Sequence, residues 1–279
     1  MTKNQTISTV ERRRIILEEL QQNKQVDVAQ LKNHFDVSEV TLRKDLRYLE
    51  SKNLLIRSRG GAMVPVKIAE DLSVKKRMVI NLELKKQIAR KASTLIQDGD
   101  IIIIDSGTTL MQIADHLKKI KRLTVITNAL DIAFKLSGFS NLKIIVPGGI
   151  LREKSCSLVG VTAIENMQMF RADKYFVSAD GINEEGLFTS NLEEGQIAKL
   201  IMSNAKENIV LVDSSKFDRQ GIINFAPLAK IHTLVTDGNI PENYLNSLNN
   251  FGIKVIIASN TIEDSADSED IQVPDDDKN

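Results

Sequence analysis

The chain has 279 residues, 42% hydrophobic and 27% charged, with a formal net charge of zero. This is ordinary globular usage at a length that favours two domains. No run of about 18 apolar residues exists, which excludes a membrane-spanning helix, and Met1 to Val10 lacks the apolar segment of a secretory leader. The single cysteine, Cys156, excludes an internal disulfide and a cysteine-built zinc site. A cytoplasmic chain without metal or cofactor is expected.

The zero net charge hides an asymmetry. Residues 1–65 carry a net +4, and residues 263–279 a net −7. A basic first module beside a near-neutral body favours a polyanionic partner.

A helical pattern starts after Ser8-Thr9 and runs to about Asn23, with Val10, Ile15 or Ile16, Leu17 and Leu20 as its apolar stripe. Asp27 caps a second, short helix, with Gln30 in capping-box register and Val28, Leu31 and Phe35 facing inward. After the tight connection Asp36-Val37, Ser38 caps a third helix reaching about Glu50. Its stripe is Leu42, Leu46 and Leu49. Two short helices joined by three or four residues are the mark of a helix-turn-helix. Ser38 and Thr41 can donate to phosphate or base edges, Arg43 can grip guanine with two bonds, and Lys44 and Arg47 can hold phosphates. Leu54 to Ser58, the turn Arg59-Gly60-Gly61 and the return Ala62 to Val64 form a hairpin. It reads as a wing that sets Arg57 and Arg59 on the backbone or in the minor groove. A protein-binding helical bundle with a solvated basic face is the competing interpretation.

The segment from Val37 to Leu46, Val-Ser-Glu-Val-Thr-Leu-Arg-Lys-Asp-Leu, resembles the recognition helix of the DeoR family of bacterial repressors. Arg59-Gly60-Gly61-Ala62 resembles that family's wing. The resemblance implies binding to a double-stranded DNA operator.

Residues 66–80 read as a connector, and Asn81 caps a helix from Leu82 to about Gln97. From Ile101 on, strand-like runs alternate with helical stretches: 101–104, 123–126, 142–146, 175–177, 209–212, 233–235 and 255–257. That order predicts an α/β domain over 81–260 with a mostly parallel sheet. The acidic stretch 261–279 is expected to be disordered.

Ligands of open α/β sheets bind at the carboxyl ends of strands. Asp105-Ser106-Gly107-Thr108-Thr109 follows the first strand and leads into a helix at Leu110–Leu117. Its amides, its hydroxyls and the helix N-terminus suit a phosphate monoester, although the same residues also suit plain helix capping. Asn128, Gly148-Gly149 with Arg152, Asp180 and Lys216 sit in the other strand-end loops, and together they make a pocket.

From about Leu84 to Ile257 this region is similar to the DeoR-type sensor domain, whose fold resembles ribose-5-phosphate isomerase and glucosamine-6-phosphate deaminase. The resemblance implies a phosphorylated-sugar effector. Its phosphate would lie on Asp105, Ser106, Gly107, Thr108, Thr109 and Lys216. Asn128, Gly148, Gly149, Arg152, Asp180 and Glu194 would line the sugar. It is nearest to regulators of amino-sugar and hexitol phosphate use. One departure is Gly195, where the family usually has alanine. A regulator that does not turn its ligand over is expected. The alternative is an isomerase- or deaminase-like enzyme fused to a DNA-binding module, with Asp180, Glu193 or Glu194 as its base. A homo-oligomer, dimer or tetramer, is expected because one helix-turn-helix touches too little DNA.

Overall fold

The computed structural model describes residues 7–52, 54–65 and 67–259. The acidic segment 261–279 lies outside the described residues. The chain divides into two compact units, the first ending at Lys67 and the second beginning at Ile68.

In the first unit Ser8 accepts from the Glu11 amide and caps α1, Thr9–Asn23. β1 is Gln25–Asp27, and Asp27 then caps α2, Val28–Phe35, through the Ala29 and Gln30 amides. Asp36, left-handed at φ 49°, closes α2. Ser38 accepts from the Thr41 amide at 3.2 Å and caps α3, Glu39–Ser51. β2, Ile56–Ser58, and β3, Gly61–Met63, form an antiparallel sheet in the order β1-β3-β2. Ile16, Leu20, Leu31, Phe35, Leu42, Leu46, Leu49 and Leu55 make the core.

The structure corrects the sequence on α1 and on the wing. Val10 is 79% exposed, whereas Arg12 is buried, because α1 turns a salt-bridged arginine towards α3. The wing also has a third strand, β1, which has only three residues and therefore no readable alternation. A Cβ on Gly61 would lie 2.0 Å from the Val26 carbonyl, so only glycine lets β3 approach β1 this closely.

The second unit is built on a seven-stranded parallel sheet. Its order is Lys254–Ala258, Thr233–Asp237, Ala205–Leu211, Ala172–Val177, Ile101–Ile104, Leu123–Ile126, Leu142–Ile145. Alternate residues serve two cores. Ile103, Tyr175, Val177 and Val210 pack on one face, and Ile102, Ile104, Phe176 and Ile209 on the other. Burial on both faces explains the uninterrupted β-branched runs.

A three-stranded antiparallel sheet, Gly181–Asn183, Gly186–Thr189 and Ile223–Ala226, joins it. Its strands are too short for a readable period. The helix after Thr109 is a ten-residue 3₁₀ helix, Leu110–Lys119, rather than the expected α-helix to Leu117. The Leu82 helix ends at Ser93 rather than near Gln97, and it buries Lys85 beside Ile88, Ala89 and Ala92. Gly195 lies where helix Leu192–Asn204 crosses the antiparallel sheet. A Cβ there would meet Ile223 Cγ2 at 3.0 Å and Thr189 Cγ2 at 3.1 Å, so close packing accounts for the glycine.

Of the expected connector 66–80, the residues from Ile68 onward belong to the second unit. The Ala69 amide donates to the Gln220 carbonyl, and Val74–Val79 is a short helix. No helix among the described residues is long and apolar enough to cross a membrane.

Candidate functional site

The first unit presents a cleft of about 310 Å³ between α3 and the β2–β3 turn. Arg43, Arg57, Ser58, Arg59 and Gly60 are among its lining residues. Lys44, Arg47 and Arg59 are exposed, and none of them forms a salt bridge among the described residues. Arg43 is exposed and 3.5 Å from Glu39 one turn away, a pairing that water and salt weaken. The cleft therefore concentrates three guanidinium groups.

Two of the predicted DNA contacts carry structural duties. The Ser38 hydroxyl is committed to its cap and lies 2.9 Å from the Thr41 hydroxyl. Arg57 donates from Nε to Glu50 at 2.6 Å, and its amide donates to the same carboxylate at 3.2 Å. Glu50 thus ties the wing to α3 and, as an exposed partner, competes with any other anion for Arg57. The Arg57 bonds keep the Glu50 carboxyl below the usual carboxylate range.

The orientation of α3 is set from below. Asp45, 2% exposed, accepts from Arg12 Nε and Arg13 Nε, both at 2.7 Å. Arg13 also stacks on the Tyr48 ring at 3.8 Å. The sequence hides this triad, because arginines on a polar helix face are ordinarily solvated.

In the second unit the loops follow the strands that stand side by side. Residues 105–109 leave Ile101–Ile104 and Asn128 follows Leu123–Ile126. Gly148 and Gly149 follow Leu142–Ile145, Asp180 follows Ala172–Val177, and Lys216 follows Ala205–Leu211. These five strands are adjacent in the sheet, so their carboxyl ends converge.

Two groupings emerge. In the first, the Tyr175 hydroxyl and the Ser106 amide donate to Asp105 at 2.8 and 2.7 Å. Asn128 donates to the Leu158 carbonyl, and its Oδ1 is buried with no hydrogen-bond partner among the described residues. Glu194 accepts from Arg152 Nη1 at 3.3 Å and from Ser157. Arg152 also donates to Ser155 and, with both Nη2 bonds, to Asp71.

The second grouping is cationic. Arg77 Nη1 lies 3.5 Å from Asp180, while its Nε is buried and unpartnered among the described residues. Asp180 also accepts from the Ser190 amide at 2.9 Å. Lys85 is buried and donates to the Arg77 carbonyl. Burial lowers the Lys85 ammonium to about 8, with Asp213 opposing the shift. Burial also lowers Lys216, against the attraction of Asp180 and Asp213. Asn81 donates to Asp213 and Ser215.

Arg77, Lys85 and Tyr175 were not singled out from the sequence, and Asp213 entered only as part of the loop that carries Lys216. Asn81, expected as a helix cap, makes no side-chain cap bond and turns instead to Asp213 and Ser215. Lys85 carried a signal: it heads the stripe Lys85, Ile88, Ala89, Ala92, a charge at a core position. Gly148 and Gly149 do not enter either grouping. A Cβ on Gly149 would meet the Val159 carbonyl at 2.8 Å, so this glycine serves the packing of the hairpin Ile150–Val159.

Burial raises the Asp105 carboxyl to about 6, against the bonds from Tyr175, Ser106 and Asn128. A raised carboxyl favours the proton in the folded chain, so stability falls as pH rises from about 4 to about 6 and stays lowered above. Asp105→Asn removes that loss. Relative to wild type, the variant should gain up to about 3 kcal/mol between pH 4 and pH 7, measured by thermal melting. An equal effect at both pH values contradicts a buried, costly carboxylate.

A family model described as the DeoR-like helix-turn-helix domain matches residues 12–67, and one described as the DeoR C terminal sensor domain matches residues 80–238. The chain belongs to the DeoR family. It is a DNA-binding transcription regulator with a sensor domain, and its relatives are regulators rather than enzymes. Among this DeoR chain's relatives is the Lactococcus lactis lactose phosphotransferase system repressor, 35% identical over 85% of this chain and 94% of the relative. Another is the Bacillus subtilis transcriptional repressor GlcR, 33% identical over 87% and 93%. A solved ribose-5-phosphate isomerase in complex with phospho-erythronic acid aligns at 19% identity and a TM-score of 0.37, over 49% of this chain and 54% of that one.

Proposed function

We propose that this DeoR regulator is a cytoplasmic repressor of carbohydrate-use genes that binds its operator as a homo-oligomer and is released by a phosphorylated sugar. The observation that carries the effector assignment is the cationic grouping. Lys216, Lys85 and Arg77 are close enough to act on one another's charge, and Arg77 Nε has no hydrogen-bond partner among the described residues. Asp180 and Asp213 offset only two of these three cations, which leaves an excess of positive charge that is costly to bury, and a phosphate supplies both charge and acceptor atoms. The grouping of Asp105, Asn128 and Glu194 then offers acceptors to the sugar hydroxyls, with Arg152 beside them.

On the DNA side, Thr41 and Arg43 read base edges from α3, while Lys44, Arg47 and Arg59 hold phosphates. Arg57 joins them once a phosphate displaces Glu50. Two half-sites per operator require at least two copies.

A thermal-shift screen of the full chain against sugar phosphates and the matching free sugars tests the effector. A hit at a hundredfold its Kd adds about 2.7 kcal/mol. The hit should also lower operator affinity in a gel shift, and the free sugar should do neither. A free sugar that stabilises the chain as well as its phosphate contradicts the proposal.

A further inference from the structure

The stretch 69–81 is fastened to the rest of the second unit at five residues, Ala69, Asp71, Val74, Arg77 and Asn81. The Ala69 amide donates to the Gln220 carbonyl at 2.9 Å, and Ser190 Oγ donates to the Ala69 carbonyl. The Val74 amide donates to the Lys154 carbonyl at 2.6 Å. Arg77 meets Asp180, and Asn81 meets Asp213. Between these lies Asp71. Its two carboxylate oxygens take both Nη2 bonds of Arg152 at 2.8 and 2.9 Å, and Lys154 Nζ adds a third bond at 2.8 Å.

Arg152 is thereby filled from both sides, by Asp71 on Nη2 and by Glu194 and Ser155 on Nη1. Asp71 itself is about one-third exposed. Burial acts to raise its carboxyl, but the bonds from Lys154 and Arg152 outweigh it and hold the group below the usual carboxylate range. Both bonds run from one guanidinium nitrogen, so Asp71 takes up the Nη2 donors that an anionic or hydroxyl-rich ligand would need there.

We propose that Asp71 is an internal counter-ligand: it occupies Arg152 in the effector-free chain, and the effector displaces it. Displacement frees the 69–74 stretch, which is covalently continuous with the DNA-binding unit ending at Lys67. Binding then becomes a change in how that unit is tethered, because the ligand and the stretch compete for one side chain. This rests on Arg152 lining the effector site.

The test uses the full chain with no ligand, so its outcome is independent of which sugar phosphate, if any, binds. Hydrogen exchange of the Ala69 and Val74 amides and affinity for an operator selected by the wild-type chain are measured for wild type, Asp71→Asn and Asp71→Glu. Asp71→Asn should speed exchange at both amides by about tenfold or more, the loss expected when a charge-assisted bond pair goes. It should weaken operator binding without effector, leave the sheet amides of 102–104 protected, and be corrected by Asp71→Glu. Wild-type exchange, or wild-type operator affinity despite faster exchange, overturns the proposal. Loosening of the sheet amides as well shows that Asp71 only supports the fold, and overturns it too.

Discussion

Asp45→Ala is expected to unfold the DNA-binding unit while the sensor unit stays intact. Among the described residues Asp45 is the sole carboxylate bonded to both Arg12 and Arg13, and Arg12 is only 5% exposed. Removing one partner of a buried ion pair strands the other charge, which costs about 3–5 kcal/mol. A unit of about 60 residues has a total stability of roughly 3–9 kcal/mol, so the loss removes much or all of it. Urea denaturation of the full chain should show the first unit melting early and the second unchanged. Asp45→Asn, which keeps the hydrogen bonds, should lose less. A cost below about 1 kcal/mol for Asp45→Ala would mean that the triad is solvated and does not orient α3.

The recognition surface predicts the second large effect. Thr41→Ala together with Arg43→Ala removes two groups proposed to read bases, each contributing about 1–3 kcal/mol of discrimination. Operator affinity should fall at least about thirtyfold, the equivalent of roughly 2 kcal/mol, with affinity for random duplex much less affected. Neither change threatens the fold. The Thr41 amide keeps its Ser38 cap, and Arg43 is held only by an exposed pair with Glu39. A matching fall on random DNA would reassign both residues to the backbone.

Much of this was legible in the sequence because it depends on local signals. The caps at Ser8, Asp27 and Ser38 work within three residues, and the β-branched runs report burial on both faces of the parallel sheet. The convergence of the strand-end loops follows from parallel topology. What was illegible is long-range pairing between charged groups. Arg12 and Asp45 are 33 positions apart, Asp71 and Arg152 81 apart, and nothing in composition couples them. Short strands also hide: β1 and the Gly181–Thr189 hairpin have three or four residues each, too few to show a period. The glycines after Pro147 were placed in the site because their loop follows a strand end, as the other site loops do. Gly149 instead answers to the carbonyl of Val159.

The division of labour between the two units is the central claim, and one gel-shift series tests it most directly. Wild type, the Thr41→Ala/Arg43→Ala variant and Lys216→Ala are compared on one operator, with and without the sugar phosphate that best stabilises wild type. Removing Lys216 takes away a charged bond to phosphate, about 1.5–3 kcal/mol or ten- to hundredfold in effector affinity. The recognition-helix variant should lose the operator yet still be stabilised by the ligand. Lys216→Ala should hold the operator as wild type does and fail to release it. A folded Lys216→Ala chain that loses operator binding in the absence of ligand would contradict the account.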